Sequence, residues 1–219
     1  MALYDAGYLS PIRKKLGNAV GRKWRTLNVL AVYRGTISNP RTEAQQLVRT
    51  RFGALARMAM YMSGSIMAGF EAACKGTKIP QRSMFIKENW SSVSADTPGT
   101  ATVDYSELLL SKGGAVKPIM SAPTFTDPLT VTMTETDTSE MPRCDAHDEV
   151  HVVVYDPEST GCIEQVFMRN DTDPGSITIE VPAAWNGHRV HVYAFAIAQS
   201  EQWKGQTSDS IYCGTGTIS

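Results

Sequence analysis

The chain has 219 residues, 42% of them hydrophobic and 20% charged, with a formal net charge of −1. This composition excludes wholesale disorder, and the length suits one large domain or two small ones. Four cysteines, at positions 74, 144, 162 and 213, are too sparse and irregular for a disulfide-stapled secreted scaffold and read as reduced thiols.

The small net charge conceals a segregation. Residues 1–90 carry 15 Lys and Arg against 4 Asp and Glu, whereas residues 91–219 carry 6 against 18. A basic half joined to an acidic half implies a partner of opposite charge for each. In Met1–Gly17 no apolar run follows a basic one, so export by the general route is not expected. The most apolar window, Ala54–Phe70, is broken by Arg57 and diluted by Ser63, Gly64, Ser65 and Gly69. It falls short of the ~20 apolar residues that span a bilayer, so no membrane partner is expected.

Residues 1–38 read as a basic N-terminal arm or hairpin. Ala19–Arg25 and Asn28–Tyr33 have the composition to pair, with Gly17, Gly21 and Gly35 as punctuation. Two readings stay open: a β-ribbon packed on the helices through Trp24, or an extended arm that docks on a partner.

Residues 39–99 read as a helical module followed by a linker. Asn39 is placed to cap a helix, Pro40 to occupy its first turn and Glu43 to complement its dipole. Apolar residues then recur at 44, 47, 48, 52, 55, 58, 59 and 62, the spacing of one buried helical face. Ser63-Gly64-Ser65 bends or ends this helix. A second spans about Ile66–Cys74 and stops at Gly76, and a third opens at Pro80 and runs toward Trp90. Met58, Met60, Met62 and Met67 read as core filler. Ser91–Gly99 reads as the linker.

From Ala101 the period changes from 3.6 to 2. Candidate strands are Ala101–Tyr105, Leu108–Leu110, Thr130–Thr134, Val150–Tyr155, Ile163–Met168, Ser176–Val181, Arg189–Ala198 and Asp209–Cys213. Turn signals separate them, with no helical crossovers, and predict that residues 100–219 form an acidic antiparallel β-sandwich of immunoglobulin or fibronectin-III type. Tyr193 sits where a tyrosine could fold back on the preceding loop, and a half-buried strand residue fits equally. The whole is an α+β chain.

Nothing in the pattern assigns catalysis. Cys144, His147 and His151 have metal-like spacing but lack a fourth ligand, so no metal is expected. Asn170–Gly175 resembles a calcium loop without its distal glutamate and reads as a hairpin turn. The carboxylates Asp145, Asp148, Glu149, Asp156 and Glu158 read as charges guarding solvated strand edges. No catalytic residue, cofactor or small-molecule substrate is therefore assigned, and the chain reads as non-enzymatic.

Arg13, Lys14, Lys15, Arg22, Lys23, Arg25, Arg41, Arg49, Arg51 and Arg57, interleaved with Trp24 and Tyr33, could track a phosphate backbone. No nucleic-acid-binding signature accompanies them, and protein docking is favoured over nucleic acid. The expected interface anchors are Trp24, Arg25, Tyr33, Arg41 and Arg49, because desolvated Trp, Tyr and Arg dominate interfaces. A carbohydrate- or surface-binding module using Trp185 and Trp203 is a further alternative.

The runs Gly17-Asn18-Ala19-Val20-Gly21-Arg22-Lys23-Trp24-Arg25, Ser38-Asn39-Pro40-Arg41-Thr42-Glu43-Ala44-Gln45-Gln46 leading to Arg51-Phe52, and Val190-His191-Val192-Tyr193-Ala194-Phe195 carry a family likeness. So do Phe85–Trp90, Val103–Ser106 and Val152–Glu158. Together they resemble a domain-of-unknown-function family of Bacteroides-type gut bacteria and their tailed phages. The resemblance implies no catalytic residues. It implies a phage structural protein in the virion, assembled in the host cytoplasm, a tail adaptor or fibre-attachment component whose partners are other tail proteins and copies of itself.

Overall fold

The computed structural model describes residues 2–3, 14–24, 27–35, 39, 41–126, 130–136, 144–169 and 176–219. The chain divides into two units, Met1–Thr42 and Glu43–Ser219.

In the first unit, β1 (Ala2–Leu3), β2 (Lys14–Leu16), β3 (Ala19–Trp24) and β4 (Leu27–Val32) form an antiparallel sheet in the order β1-β4-β3-β2. The two predicted segments do pair, as β3 and β4, from Ala19↔Val32 to Trp24↔Leu27. The β2–β3 connection is the two-residue turn Gly17-Asn18, and Gly17 takes φ +56, a left-handed conformation that glycine adopts without a Cβ clash.

The second unit opens with α1 (Glu43–Tyr61), α2 (Ser63–Gly69), α3 (Glu71–Cys74) and α4 (Gln81–Glu88). The first helix begins three residues later than its sequence signals suggest. Arg41, at φ +49, is in a left-handed conformation that a right-handed helix cannot pass through; Pro40 lies outside the described residues. Only the second half of α1 has the predicted buried face: Leu55, Met58, Ala59 and the following Met62 are buried, while Val48 and Phe52 are exposed. Met60 and Met67 are about half exposed too and are not core filler.

The predicted linker is structured. Within it β5 (Val93–Thr97) pairs with β6 (Thr100–Val103), and Val93 is completely buried. Leu108–Leu110, expected as a strand, joins no sheet. Buried Asn89 substitutes for a strand partner: its Oδ1 accepts from the Leu109 N–H at 2.7 Å and its Nδ2 donates to the Leu109 carbonyl at 2.8 Å. Backbone groups that a ladder would pair are thereby satisfied locally.

The remaining strands are β7 (Ile119–Met120), β8 (Thr124–Thr126), β9 (Thr130–Thr136), β10 (Glu149–Asp156), β11 (Gly161–Met168), β12 (Ser176–Glu180), β13 (Arg189–Ile197) and β14 (Ile211–Thr217). They form two antiparallel sheets, β11-β10-β13-β14 and β12-β9-β7, with β8 also pairing to β9. The molecule is thus mixed α+β with mostly antiparallel sheets.

Two cores flank the first of these sheets. On one face Val153, Tyr155, Tyr193 and Phe195 pack with Leu55, Met58, Met62, Ile66, Phe70 and Phe85 from the helices. On the other, Val150, Val152, Val154, Val190, Val192 and Ala194 pack with Val131, Met133, Ile177 and Ile179 from the second sheet. Successive strand residues point to opposite faces, so β10 and β13, covered on both, are apolar almost throughout. The expected separation of a helical module at 39–99 from a sandwich at 100–219 is therefore not observed. Helices and sheet share one core because each supplies the other's apolar cover.

Candidate functional site

Alternation along β3 and β4 sorts the basic sheet into two faces. The register sets Arg22 opposite Val29 and Lys15 opposite Val20, with Trp24 two residues beyond Arg22. Lys15 Nζ stands 3.8 Å over the Tyr33 ring, a cation–π contact. Lys15, Arg22, Trp24 and Tyr33 thus share one side of the sheet. Arg22 lines two shallow hollows, of about 370 Å³ beside Trp24 and Val29 and about 220 Å³ beside Ala31 and Tyr33.

This sheet leaves large apolar groups open. Leu16 is 63% exposed, Trp24 51%, Val32 77% and Tyr33 44%, while Val29 is the one buried large apolar side chain among the unit's described residues. Among the described residues, no ion pair engages Lys14, Lys15, Arg22, Lys23 or Arg34.

Of the five anticipated anchors, Trp24 and Tyr33 share this face, at opposite ends of the β3–β4 ladder. Arg25 lies outside the described residues. Arg41 falls in the segment that leads into α1, and Arg49 is on α1 in the other unit. Lys15 and Arg22, named in the sequence among the residues that could track a phosphate backbone but not among the anchors, join them here, and Arg22 stands two residues back along the strand from Trp24. Arg51 is no candidate for phosphate contact: its guanidinium lies over the Trp90 ring at 4.5 Å and donates to the Trp90 carbonyl at 2.5 Å.

The second unit carries an open cleft of about 830 Å³ where the β5–β6 hairpin, the β10–β11 turn, β13 and β14 meet. His191, 7% exposed, stacks on the Tyr105 ring with centroids 4.0 Å apart and planes 18° from parallel. Its Nδ1 is 3.0 Å from the Tyr212 hydroxyl. Burial pushes the His191 pKa down to about 4, with Arg189 adding to the effect, so the ring is neutral at physiological pH. The buried Tyr193 hydroxyl donates to the Tyr105 carbonyl at 2.8 Å, locking this group from beneath. Tyr193 therefore neither turns back on its own preceding loop nor remains half-buried.

Polar walls complete the cleft. Asp104 accepts from the Ser106 hydroxyl at 2.6 Å and the Ser106 N–H at 3.1 Å, and the hydroxyl bond is the main cause of its lowered pKa. Arg189 Nε donates to Thr215 Oγ1 at 3.2 Å, and its backbone N–H donates to Glu158 Oε1 at 3.4 Å. These residues come from widely separated segments, and no local sequence pattern announces them.

The metal-like trio does not converge. His147 Nδ1 pairs with Asp145 at 2.8 Å, His151 Nδ1 with Glu164 at 2.7 Å, and Cys144 lies against Arg169. The segment expected as a hairpin turn, Asn170–Gly175, lies outside the described residues. Two of the carboxylates expected at solvated edges are buried instead. Asp156 is 2.7 Å from His188 Nδ1 and accepts from Ser159; Asp148 is 3.6 Å from the guanidinium of fully buried Arg169, which also meets Glu135 at 3.0 Å. Each has a cationic or hydrogen-bonding partner that compensates its desolvation. Trp185, proposed as an exposed platform, is buried against Gly161, where any Cβ would strike the indole.

The fold and these two surfaces define an α+β protein in which a small basic sheet accompanies a larger unit of helices on paired sheets. The chain belongs to the family of unknown function DUF6266, whose sequence profile matches residues 11–214. No curated protein matches it.

Proposed function

We propose that this chain is a non-enzymatic adaptor that works by assembly, docking through the face of its N-terminal sheet that carries Lys15, Arg22, Trp24 and Tyr33. The observation behind this reading is the sorting of charge and exposed apolar surface. Met1–Thr42 has eight Lys and Arg against one acidic residue, a balance of +7, and Glu43–Ser219 has a balance of −8. A small sheet whose described residues bury so little apolar surface gains stability from a covering partner. Complementary charge steers and registers such an encounter, and buried Trp, Tyr and Arg would supply most of its energy. The partner is an acidic protein surface, and the second unit of another copy offers one. By the resemblance noted above, its setting is the virion of a tailed phage, as a tail adaptor or fibre-attachment component.

We also assign the paired sheets to the immunoglobulin and fibronectin-III group. In support, β12-β9-β7 faces β11-β10-β13-β14, and the chain crosses between sheets at β9–β10, β11–β12 and β12–β13.

Sedimentation velocity of the full chain across concentration and salt tests the docking reading. Association that grows with concentration and weakens with salt is expected. A strict monomer at every concentration would sink the proposal. Tight, steeply salt-dependent binding of random-sequence DNA would transfer the basic face to nucleic acid.

A further inference from the structure

The cleft beside the β5–β6 hairpin has no part in the docking reading, and its chemistry is of another kind. At about 830 Å³ it falls within the size range of small-ligand sites, about 300–1,000 Å³. We infer that this cleft binds a neutral carbohydrate chain.

The charge inventory argues first. Asp104 and Glu158 oppose Arg189, while His191 is neutral at physiological pH. A site for phosphate, sulfate or a uronic acid needs an excess of positive charge, which this one lacks. An apolar ligand would leave these charged groups desolvated and unpaired, at a cost in affinity. A ligand dense in hydroxyl groups meets neither objection, because each hydroxyl both donates and accepts. Adjacent ring hydroxyls can bridge the two oxygens of a carboxylate or two N–H groups of a guanidinium.

The aromatic groups argue second. A sugar ring presents C–H bonds on one face, and aromatic faces with polar tips suit such an amphipathic surface. Tyr105 and Tyr212 both line the cleft. The stack of Tyr105 on His191, and the contact of His191 with Tyr212, hold the rings in place without a ligand. Pre-ordering of this kind reduces the entropy lost on binding. Arg189 is likewise held by Thr215, and Asp104 by Ser106, so the polar groups are oriented in advance.

The test applies the full-length chain to an array of linear neutral oligosaccharides: gluco-, manno-, galacto- and xylo-configured chains and N-acetylglucosamine oligomers. Sulfated and uronic-acid chains form the anionic arm. The tightest neutral binder is then titrated calorimetrically against variants. Tyr212→Ala removes a ring, and Ser94→Trp, at an exposed hairpin position, fills the cleft without disturbing a core. Each should weaken binding at least tenfold, while Lys78→Ala, on the exposed turn before α4, should leave it unchanged. Thermal unfolding of each variant separates lost affinity from lost structure, and Ser94→Trp decides the matter where Tyr212→Ala does not fold. The proposal is overturned if no neutral chain binds at millimolar concentration, if anionic chains are preferred, or if folded Ser94→Trp binds as well as the parent.

Discussion

Asn89 shows how one side chain can stand in for an element. Wholly buried at the end of α4, it bonds both backbone groups of Leu109 and also donates to the Phe85 carbonyl. Removing it leaves the Leu109 amide and carbonyl without partners in a largely dry environment. We expect Asn89→Ala to lower unfolding free energy by about 2 kcal/mol, read as a shifted urea midpoint with an unchanged slope.

Asp156 and His188 form a second polar lock, joining the β10–β11 turn to the start of β13. Burial alone would raise the Asp156 pKa, but hydrogen bonds from Ser159, His188 and the Glu158 and Ser159 amides outweigh it, and the net shift from 3.8 is downward. The hydrogen bond to Asp156 raises His188 above 6.5. A depressed carboxylate stabilises above its unfolded pKa and loses that contribution as pH falls; a raised imidazole stabilises below its unfolded pKa and loses it as pH rises. The pair is therefore strongest between those limits. The melting-temperature difference between parent and His188→Ala should peak near pH 5–6 and shrink on either side, and a pH-independent difference would contradict the assignment.

Among the elements, β10 and β13 hold the second unit together because each serves both cores. Their apolar character was plain in the sequence, as were the placement of β9 to β14, the β3–β4 hairpin and the helix opening at Pro80. What escaped notice was β5, read as linker because Ser91-Ser92-Val93-Ser94-Ala95-Asp96-Thr97-Pro98-Gly99 is polar and turn-rich. A single apolar residue, Val93, anchors it, and one residue carries no period. The short β7 and β8 were missed for the same reason. The shared core makes a prediction about fragments. Residues 43–219 should unfold cooperatively, whereas 100–219, stripped of Leu55, Met62, Ile66, Phe70 and Phe85, should expose the Tyr193 and Phe195 face and show no cooperative transition by calorimetry.

For the molecule as a whole, the charge division survives but its boundary moves. Cutting after Trp90 places the basic helices with the arm, yet those helices belong to the acidic unit's core. The strongest basic excess lies in Met1–Thr42, with eight Lys and Arg against one acidic residue. Reversing charge there, with Lys15→Glu and Arg22→Glu together, should abolish association in sedimentation experiments while leaving the main unfolding transition of residues 43–219 unchanged. No helix among the described residues is long and apolar enough to cross a membrane.

The linear pattern by itself determined the strand and helix periods, the asymmetry of charge and the family. Periodicity and charge are local sums, and they survive without knowledge of the fold. Tertiary structure alone decided that helices and sheet share a core, that Asp148, Asp156 and Arg169 are buried together with their partners, and that Tyr105, Arg189, His191 and Tyr212 converge on one cleft. Each of these depends on pairing between residues far apart in the chain, and burial of a polar group becomes visible only when its distant partner is in place.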